Sequence, residues 1–164
     1  LPSALITTKE RFNLSDEDLI HGLFAAAGIG EIVAKNATIS GAEGGCQAEC
    51  GVASSMAAAA IIEMIGGDVE ASLDAASFAL INVLGLVCDP ILGLVEFPCA
   101  LRNASGVANA LISADLAMAG IKSLIPFDEV VDAMYKVGKA MPESLRETAL
   151  GGIAATPTAQ NLKK

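Results

Sequence analysis

The residues best suited to chemistry are cysteines placed at turns. Cys88 and Cys99 have ten residues between them, and each stands near a proline, in CDP and FPC. Cys46 lies 42 positions before Cys88 and follows a Gly-Gly pair, in SGAEGGCQAECG. Proline pushes the residue before it toward extended backbone and has no N–H, so the chain is expected to turn near Cys88 and Cys99 rather than continue a helix.

Three thiolates at one end of a helical bundle would make a soft-ligand metal site, suited to an iron–sulfur cluster, zinc or copper. A helix beginning at Cys46 or Cys99 would also stabilise a thiolate through its dipole. The alternative is that these are inert core cysteines, because free cysteine is among the most buried residue types. Spacing alone leaves both interpretations open.

Zinc is the less favoured metal, since the chain has no Cys-x-x-Cys pair and a single histidine. That residue, His21, falls within a predicted helix and is interpreted as a core or surface residue rather than a ligand. Cys50, one helical turn after Cys46, is interpreted as a packing cysteine. Two disulfides in a secreted protein are less favoured, because so apolar a chain does not need cross-links.

The composition predicts one helical domain spanning residues 1–164. The chain has 53% hydrophobic but only 4% aromatic residues, and a net charge of −9. Ten scattered Lys and Arg residues without a basic stripe argue against nucleic-acid binding. The apolar segments 54–65 and 75–95 are interpreted as buried helices rather than membrane spans, since the first is short and the second is interrupted by Asp89-Pro90. LPSALITTKERF lacks the pattern of a signal peptide and does not begin with Met, so we expect a cytoplasmic protein and a fragment of a longer chain.

Several elements must position the cysteines. Residues 1–13 are expected to be irregular, and Ser15 followed by three acidic residues predicts a helix from there to about Lys35. After a loop over 36–45, a second helix is expected over 46–65. A third helix is expected from near Asp68, and its residues Phe78 to Val87 are apolar on nearly every side, which predicts a central position before Pro90 breaks it.

A small-residue helix is predicted over 100–120. An amphipathic helix should follow Pro126, with Val130, Val131, Met134 and Val137 inward. A short helix is predicted at Pro142, with an irregular tail beyond it. No strand pattern is found. The fold is predicted to be all-α, a compact bundle of about six helices with the cysteine-bearing turns at one end.

Three phrases, GGCQAECG, CDPILGLVEFPCALRNA and ETALGGIAATPTA, resemble the C-terminal part of the α (catalytic) domain of iron–sulfur-dependent bacterial L-serine dehydratases. The resemblance covers essentially the whole chain. It implies a 4Fe-4S cluster held by Cys46, Cys88 and Cys99, with the fourth iron open to substrate. It also implies β-elimination of L-serine to pyruvate and ammonia, the open iron acting as a Lewis acid on the hydroxyl. No pyridoxal phosphate is expected, and the general base is not identified.

Four polar residues beside these cysteines are candidates to orient the cluster or the substrate: Gln47, Glu49, Arg102 and Asn103. Ordinary surface or ion-pair duty is the alternative for Glu49 and Arg102. Residues 148–158 are a further candidate lining, because small residues let backbone approach a ligand closely. The chain departs from the family in having Cys50 where an apolar residue is usual, and in ending in QNLKK rather than in a capping cysteine.

The family resemblance also implies missing parts. An N-terminal half of the α domain and a β domain or subunit are expected as partners, with a homo-oligomeric full enzyme. This chain alone is therefore expected to fold but not to turn over serine. Two other classes stay open: an iron–sulfur redox or sensor module, which would need four protein ligands, and a metal-free helical interaction domain.

Overall fold

The computed structural model describes residues 1–162, and α-helices dominate that range. The helices are α1 (Pro2–Phe12), α2 (Asp16–Asn36), α3 (Gly41–Gly44), α4 (Val52–Met64), α5 (Val69–Ile81), α6 (Cys99–Met118), α7 (Phe127–Ala140) and α8 (Pro157–Asn161). A π-helical turn, Gln47–Gly51, leads into α4, and 3-10 turns occupy Ile91–Gly93, Glu143–Leu145 and Gly152–Ala155. Over the described range no strand forms, only an isolated bridge between Cys88 and Arg146. The predicted all-α bundle is confirmed.

The centre of the bundle is α4, which contacts α2, α5 and α6. Its run from Ala57 to Ala60 is fully buried, and small side chains there let neighbouring helices approach closely. Gly22 of α2 shows how close: a Cβ at that position would lie 2.6 Å from Cγ of Met64. The predicted small-residue packing is therefore the basis of the core.

The N-terminal segment differs from prediction, because residues 1–13 form α1 rather than an irregular stretch. Pro2 occupies the first turn, where its missing N–H costs nothing, and Asn13 ends the helix in the left-handed conformation with φ 52°. Leu5 is buried in the core. The prediction for α2 is confirmed, since Ser15 and Asp18 form a reciprocal capping box at its start.

The third predicted helix is shorter than expected, since α5 ends at Ile81 rather than near Val87. Gly85 turns the chain with φ 85°, and its N–H donates to Oε1 of the buried Gln47 at 2.9 Å. This contact with another element holds residues 82–86 in a turn, so the helix cannot continue.

The C-terminal part is partly as predicted. Val130, Val131 and Met134 of α7 are buried, but Val137, expected inward, is 37% exposed because it lies at the edge of the apolar stripe. The tail, expected to be irregular, forms a 3-10 turn and then α8, which Thr156 caps by accepting the N–H of Ala159. Among the helices of residues 1–162, none combines the length and hydrophobicity needed to cross a membrane.

Candidate functional site

Three cysteines from distant parts of the chain are brought together. Cys46 precedes the π-helical turn, Cys88 lies in an extended segment after α5, and Cys99 is the first residue of α6. All three are buried, with exposures of 2%, 4% and 8%. The sulfur of Cys46 lies 3.3 Å from that of Cys50, and the neighbouring Cys88 side chain helps to lower the pKa of Cys46. The cysteine-bearing turns thus meet at one end of the bundle.

The cysteine sulfurs perturb one another's pKa values. Interactions with the Cys50 and then the Cys88 side chain, with a contribution from the positive charge of Arg102, lower the pKa of Cys46 to about 3. The same interactions, then burial and the negative charge of Cys46, raise the pKa of Cys50 and that of Cys88. Burial and then the charge of Cys46 raise the pKa of Cys99. The pKa of Cys46 is therefore the lowest of the four.

The site can be compared with the geometry that a single metal ion needs. Within residues 1–162, no three His, Cys, Asp or Glu side chains are grouped tightly enough to hold one ion. An iron–sulfur cluster makes a different demand, since each thiolate binds its own iron and the ligands stand farther apart. The donor set, sulfurs buried among apolar groups, suits such a cluster better than a hard cation.

An ion pair joins two of the cysteine-bearing segments. Asp89, which follows Cys88 and is 2% exposed, lies 2.8 Å through Oδ1 from Nη2 of Arg102 on α6. Arg102 also donates through Nη1 to the carbonyl of Val87 at 2.8 Å. Burial lowers the Arg102 pKa, but Asp89 and then the negative charge of Cys46 raise it, and the pKa is raised overall. Arg102 thus links the Cys88 segment to α6.

The C-terminal tail closes over the Cys88 segment. The Cys88 N–H donates to the carbonyl of Leu145 at 2.9 Å, and the Glu147 N–H donates to the carbonyl of Cys88 at 2.7 Å. Oδ2 of Asp89 accepts the N–H of Ile153 at 2.6 Å. The segment 148–158, predicted as a possible lining of the site, therefore touches it through Ile153. Asp89 was considered only as a turn residue, although an acidic residue inside so apolar a phrase could have indicated a buried partner.

A glycine allows close packing beside Cys88. A Cβ at Gly41 would lie 3.2 Å from the Cys88 sulfur, 2.8 Å from Oε2 of Glu49 and 3.6 Å from Oε2 of Glu147. Glu49 is exposed, and its pKa is raised by burial and then by the negative charges of Cys46 and Glu147. Glu147 was not singled out by sequence reasoning, which treated its phrase only as a motif. One sulfur and two carboxylates therefore lie against the Gly41 backbone.

The remaining candidates divide into two groups. Gln47 is fully buried, and its Nε2 donates to the carbonyls of Gly44 and Met134, each at 2.9 Å. Asn103 is exposed and donates to the carbonyl of Cys99 at 3.0 Å, while its Oδ1 lies 3.9 Å from the Cys50 sulfur. Gln47 therefore holds the backbone of two neighbouring segments, whereas the Asn103 side chain on α6 lies next to the Cys50 sulfur.

Cys50 and His21 have different surroundings. Cys50 is half-buried and borders the site, so it is part of the sulfur group and not only a packing residue. His21 is exposed on α2, in line with its interpretation as a surface or core residue. All four cysteines are free thiols, and the alternative of two disulfides is therefore not realised in this structure.

Comparisons with known proteins give a consistent result. A family described as "Serine dehydratase alpha chain" matches residues 1–154. An "L-serine dehydratase, alpha chain" of Peptoniphilus asaccharolyticus is 58% identical over 164 residues, covering 100% of this chain and 56% of that protein. A "Probable L-serine dehydratase, alpha chain" of Bacillus subtilis is also 58% identical and is 55% covered. One of Latilactobacillus sakei is 52% identical over 163 residues and is 78% covered. The chain thus spans a little over half the length of the first two relatives.

Proposed function

The chain belongs to the serine dehydratase alpha chain family, and from that premise we propose that residues 1–164 are the cluster-binding unit of a 4Fe-4S-dependent L-serine dehydratase. The reaction is β-elimination, in which L-serine loses water and the resulting aminoacrylate tautomerises and hydrolyses to pyruvate and ammonia. The observation that carries the proposal is the convergence of Cys46, Cys88 and Cys99, which lie far apart in sequence.

Cys46, Cys88 and Cys99 would hold the cluster. Their sulfurs are soft ligands in a buried setting. The guanidinium of Arg102 supplies positive charge against the thiolates, which supports a site that must carry several negative sulfurs. When bound, the cluster supplies an iron with one open position, a Lewis acid that makes the serine hydroxyl a better leaving group.

The chain's own residues position these groups. Arg102 fixes the start of α6 against the Cys88 segment through Asp89 and Val87. Gln47 accepts the Gly85 N–H and so fixes the turn that precedes Cys88. The carboxylates of Glu49 and Glu147, which lie beside Gly41 and the Cys88 sulfur, are able to accept or return a proton at Oε2. Asn103 offers an amide toward the sulfur group.

The proposal includes parts outside this chain. Because relatives of about twice this length share the family, we propose that a further part of the α chain and a β domain or subunit complete the L-serine site, in a homo-oligomeric enzyme without pyridoxal phosphate. A cytoplasmic location, where thiols stay reduced, belongs to the same proposal.

Anaerobic reconstitution with iron and sulfide tests the cluster. The expected result is bound iron and sulfide in near-equal amounts with visible absorbance, lost in the Cys46→Ser, Cys88→Ser and Cys99→Ser variants. Cys50→Ser is the matched control, since Cys50 lies 3.3 Å from Cys46 yet is not a proposed ligand.

Two results would contradict the proposal. Loss of the cluster in Cys50→Ser would favour a redox module with four protein ligands. Retention of no iron by the wild-type chain, while its helical content stays unchanged, would favour a metal-free interaction domain. Pyruvate formation from L-serine is then assayed with and without the remainder of the α chain and the β domain.

A further inference from the structure

We propose that Cys46 and Cys50 are an oxidation site, a dithiol pair that a peroxide converts to an intrachain disulfide. The two sulfurs lie 3.3 Å apart. Nothing in the proposed dehydratase reaction uses Cys50.

The backbone permits the bond. Residues four apart on a helix have Cα atoms about 6 Å apart, within the range of roughly 4.4–6.8 Å seen in disulfides. Here the residues after Cys46 form the π-helical turn Gln47–Gly51, whose rise per residue differs from that of an α-helix. The Gln47 N–H at its start donates a hydrogen bond to the carbonyl of Leu86. Residues four apart on a helix have Cβ atoms about 5–6 Å apart, whereas disulfides need about 3.5–4.5 Å. Bond formation therefore needs side-chain rotation and a local shift of the π-helical turn that carries Cys50.

Access favours this pair over the other thiols. Cys50 is half-buried and lines an open cleft of about 380 Å³ together with Ser54, Arg102 and Ser105. Cys88 and Cys99 are buried and do not line this cleft. A small oxidant therefore reaches the Cys50 side of the sulfur group first.

The chemistry balances with hydrogen peroxide as the oxidant. Peroxide oxidises one thiol to a sulfenic acid and releases one water. The sulfur of the second thiol then attacks the sulfenic sulfur, the S–S bond forms, and the displaced hydroxide leaves with the thiol proton as a second water. Two thiols lose two electrons and two protons in total, and one peroxide is reduced.

The consequence for metal binding depends on the proposed function, whereas the disulfide itself does not. A disulfide at Cys46 removes one of the three proposed cluster ligands, so the oxidised chain could not take up a cluster until a thiol reductant restored it. Cys50 would then protect Cys46 from irreversible oxidation to sulfinic acid.

Peptide mapping of the metal-free chain tests the pair. Reduced protein is treated with equimolar hydrogen peroxide, alkylated, and cleaved after glutamate without reduction. Cleavage after Glu43, Glu49 and Glu63 separates the two sulfurs into peptides 44–49 and 50–63, and cleavage after Glu70 and Glu96 places Cys88 and Cys99 in two others. The expected product is the 44–49 and 50–63 pair, joined and lighter by two hydrogens.

Variants make the result decisive. Cys50→Ser and Cys50→Ala should both abolish the joined peptide, with circular dichroism confirming that each stays helical, while Cys99→Ser should keep it. Linkage of Cys46 to the Cys88 peptide, or oxidation of Cys50 to sulfinic acid without linkage, would overturn the proposal.

Reconstitution with iron and sulfide tests the effect of the disulfide separately from the proposed dehydratase function. Equimolar peroxide should abolish iron uptake in the wild type, and dithiothreitol should restore it. Untreated Cys50→Ser should take up iron like the wild type, but after excess peroxide it should lose uptake without recovery, because Cys46 without its partner is oxidised to sulfinic acid. A joined peptide with undiminished iron uptake would keep the oxidation site and overturn its effect on cluster binding. Absence of iron uptake under all conditions would count against the proposed function alone.

Discussion

Asp89 and Arg102 form an ion pair at 2.8 Å whose side chains are only 2% and 15% exposed. The pair joins the residue after Cys88 to the first turns of the helix that begins at Cys99. Removing both charges from water is costly, and a pair of this kind rarely adds much net stability compared with apolar residues. Its value here is therefore positional: it fixes two cysteine-bearing segments against each other.

Asp89→Ala should lower the free energy of unfolding by about 3 kcal/mol, because it leaves a partly buried guanidinium without its partner. The change also removes the acceptor of the Ile153 N–H. Urea denaturation followed by circular dichroism at neutral pH measures the loss.

The matched control is Asp132→Ala, which removes an aspartate paired with Lys136 at 2.5 Å on the surface of α7. Both of these side chains are more than half exposed, so the expected change is about 0.5 kcal/mol or less. Equal losses in the two variants would show that the buried pair has no special role.

Gln47→Leu should destabilise the chain by about 3 kcal/mol while keeping the side-chain volume. The side-chain amide of Gln47 makes hydrogen bonds to three backbone groups, at Gly44, Met134 and Gly85. Without the amide, each of these groups would be left unpaired in a buried setting. Chemical denaturation gives the magnitude. Gln160→Leu is the control, because that residue is exposed and makes one bond to Ala154; a loss there as large as at Gln47 would refute the explanation.

The helices could largely be predicted because their signals are local. The acidic first turn after Ser15 and the alanine run Ala57–Ala60 each fix an element without reference to the rest of the chain. The failures involve distant contacts or weak signals. The end of α5 depends on Gly85 binding Gln47, and α1 was missed because its start and stop depend on Pro2 and Asn13 rather than on a strong apolar period.

The site was less accessible to sequence reasoning than the fold. The placement of Cys46, Cys88 and Cys99 at turns could be predicted from Gly and Pro, but their meeting depends on how the helices pack. The approach of Glu147 to Cys88 has no local signal, because the two residues pair through backbone groups that any sequence carries. Cys50 was judged from its helical position alone, which does not reveal a sulfur at 3.3 Å.

Gly152→Ala should be strongly destabilising. Gly152 has φ 59°, which strains a residue with a side chain, and a Cβ would lie within 2.7 Å of Cγ of Asp89. Both effects act at a buried carboxylate that cannot move without breaking its pair with Arg102, so we expect a loss of about 3 kcal/mol.

Two other glycines give the controls. Gly120→Ala shares the positive φ, 84°, but has open space at the Cβ position, so it should cost only about 1 kcal/mol. Gly28→Ala lies inside α2 with open space and should stabilise the chain by about 0.5–1 kcal/mol. Thermal unfolding ranks the three; a Gly152→Ala loss no larger than that of Gly120→Ala would mean that Asp89 yields to the new methyl group.

Asp18→Asn should reduce stability at neutral pH, and the reduction should disappear in acid. The Ser15 hydroxyl, and then the Ser15 N–H, donate to the Asp18 carboxylate and lower its pKa below the ordinary 3.8. A carboxyl group with a lowered folded-state pKa contributes stability above its unfolded pKa, and that contribution is lost as the pH falls through the folded value. The urea midpoints of wild type and Asp18→Asn should therefore differ near pH 7 and converge below about pH 3. Glu17→Gln is the control, because Glu17 shares the first turn of α2 but is not the capping-box partner of Ser15. A wild-type to Asp18→Asn difference that stays constant with pH would show that the capping box acts through hydrogen bonding alone and that the charge contributes nothing.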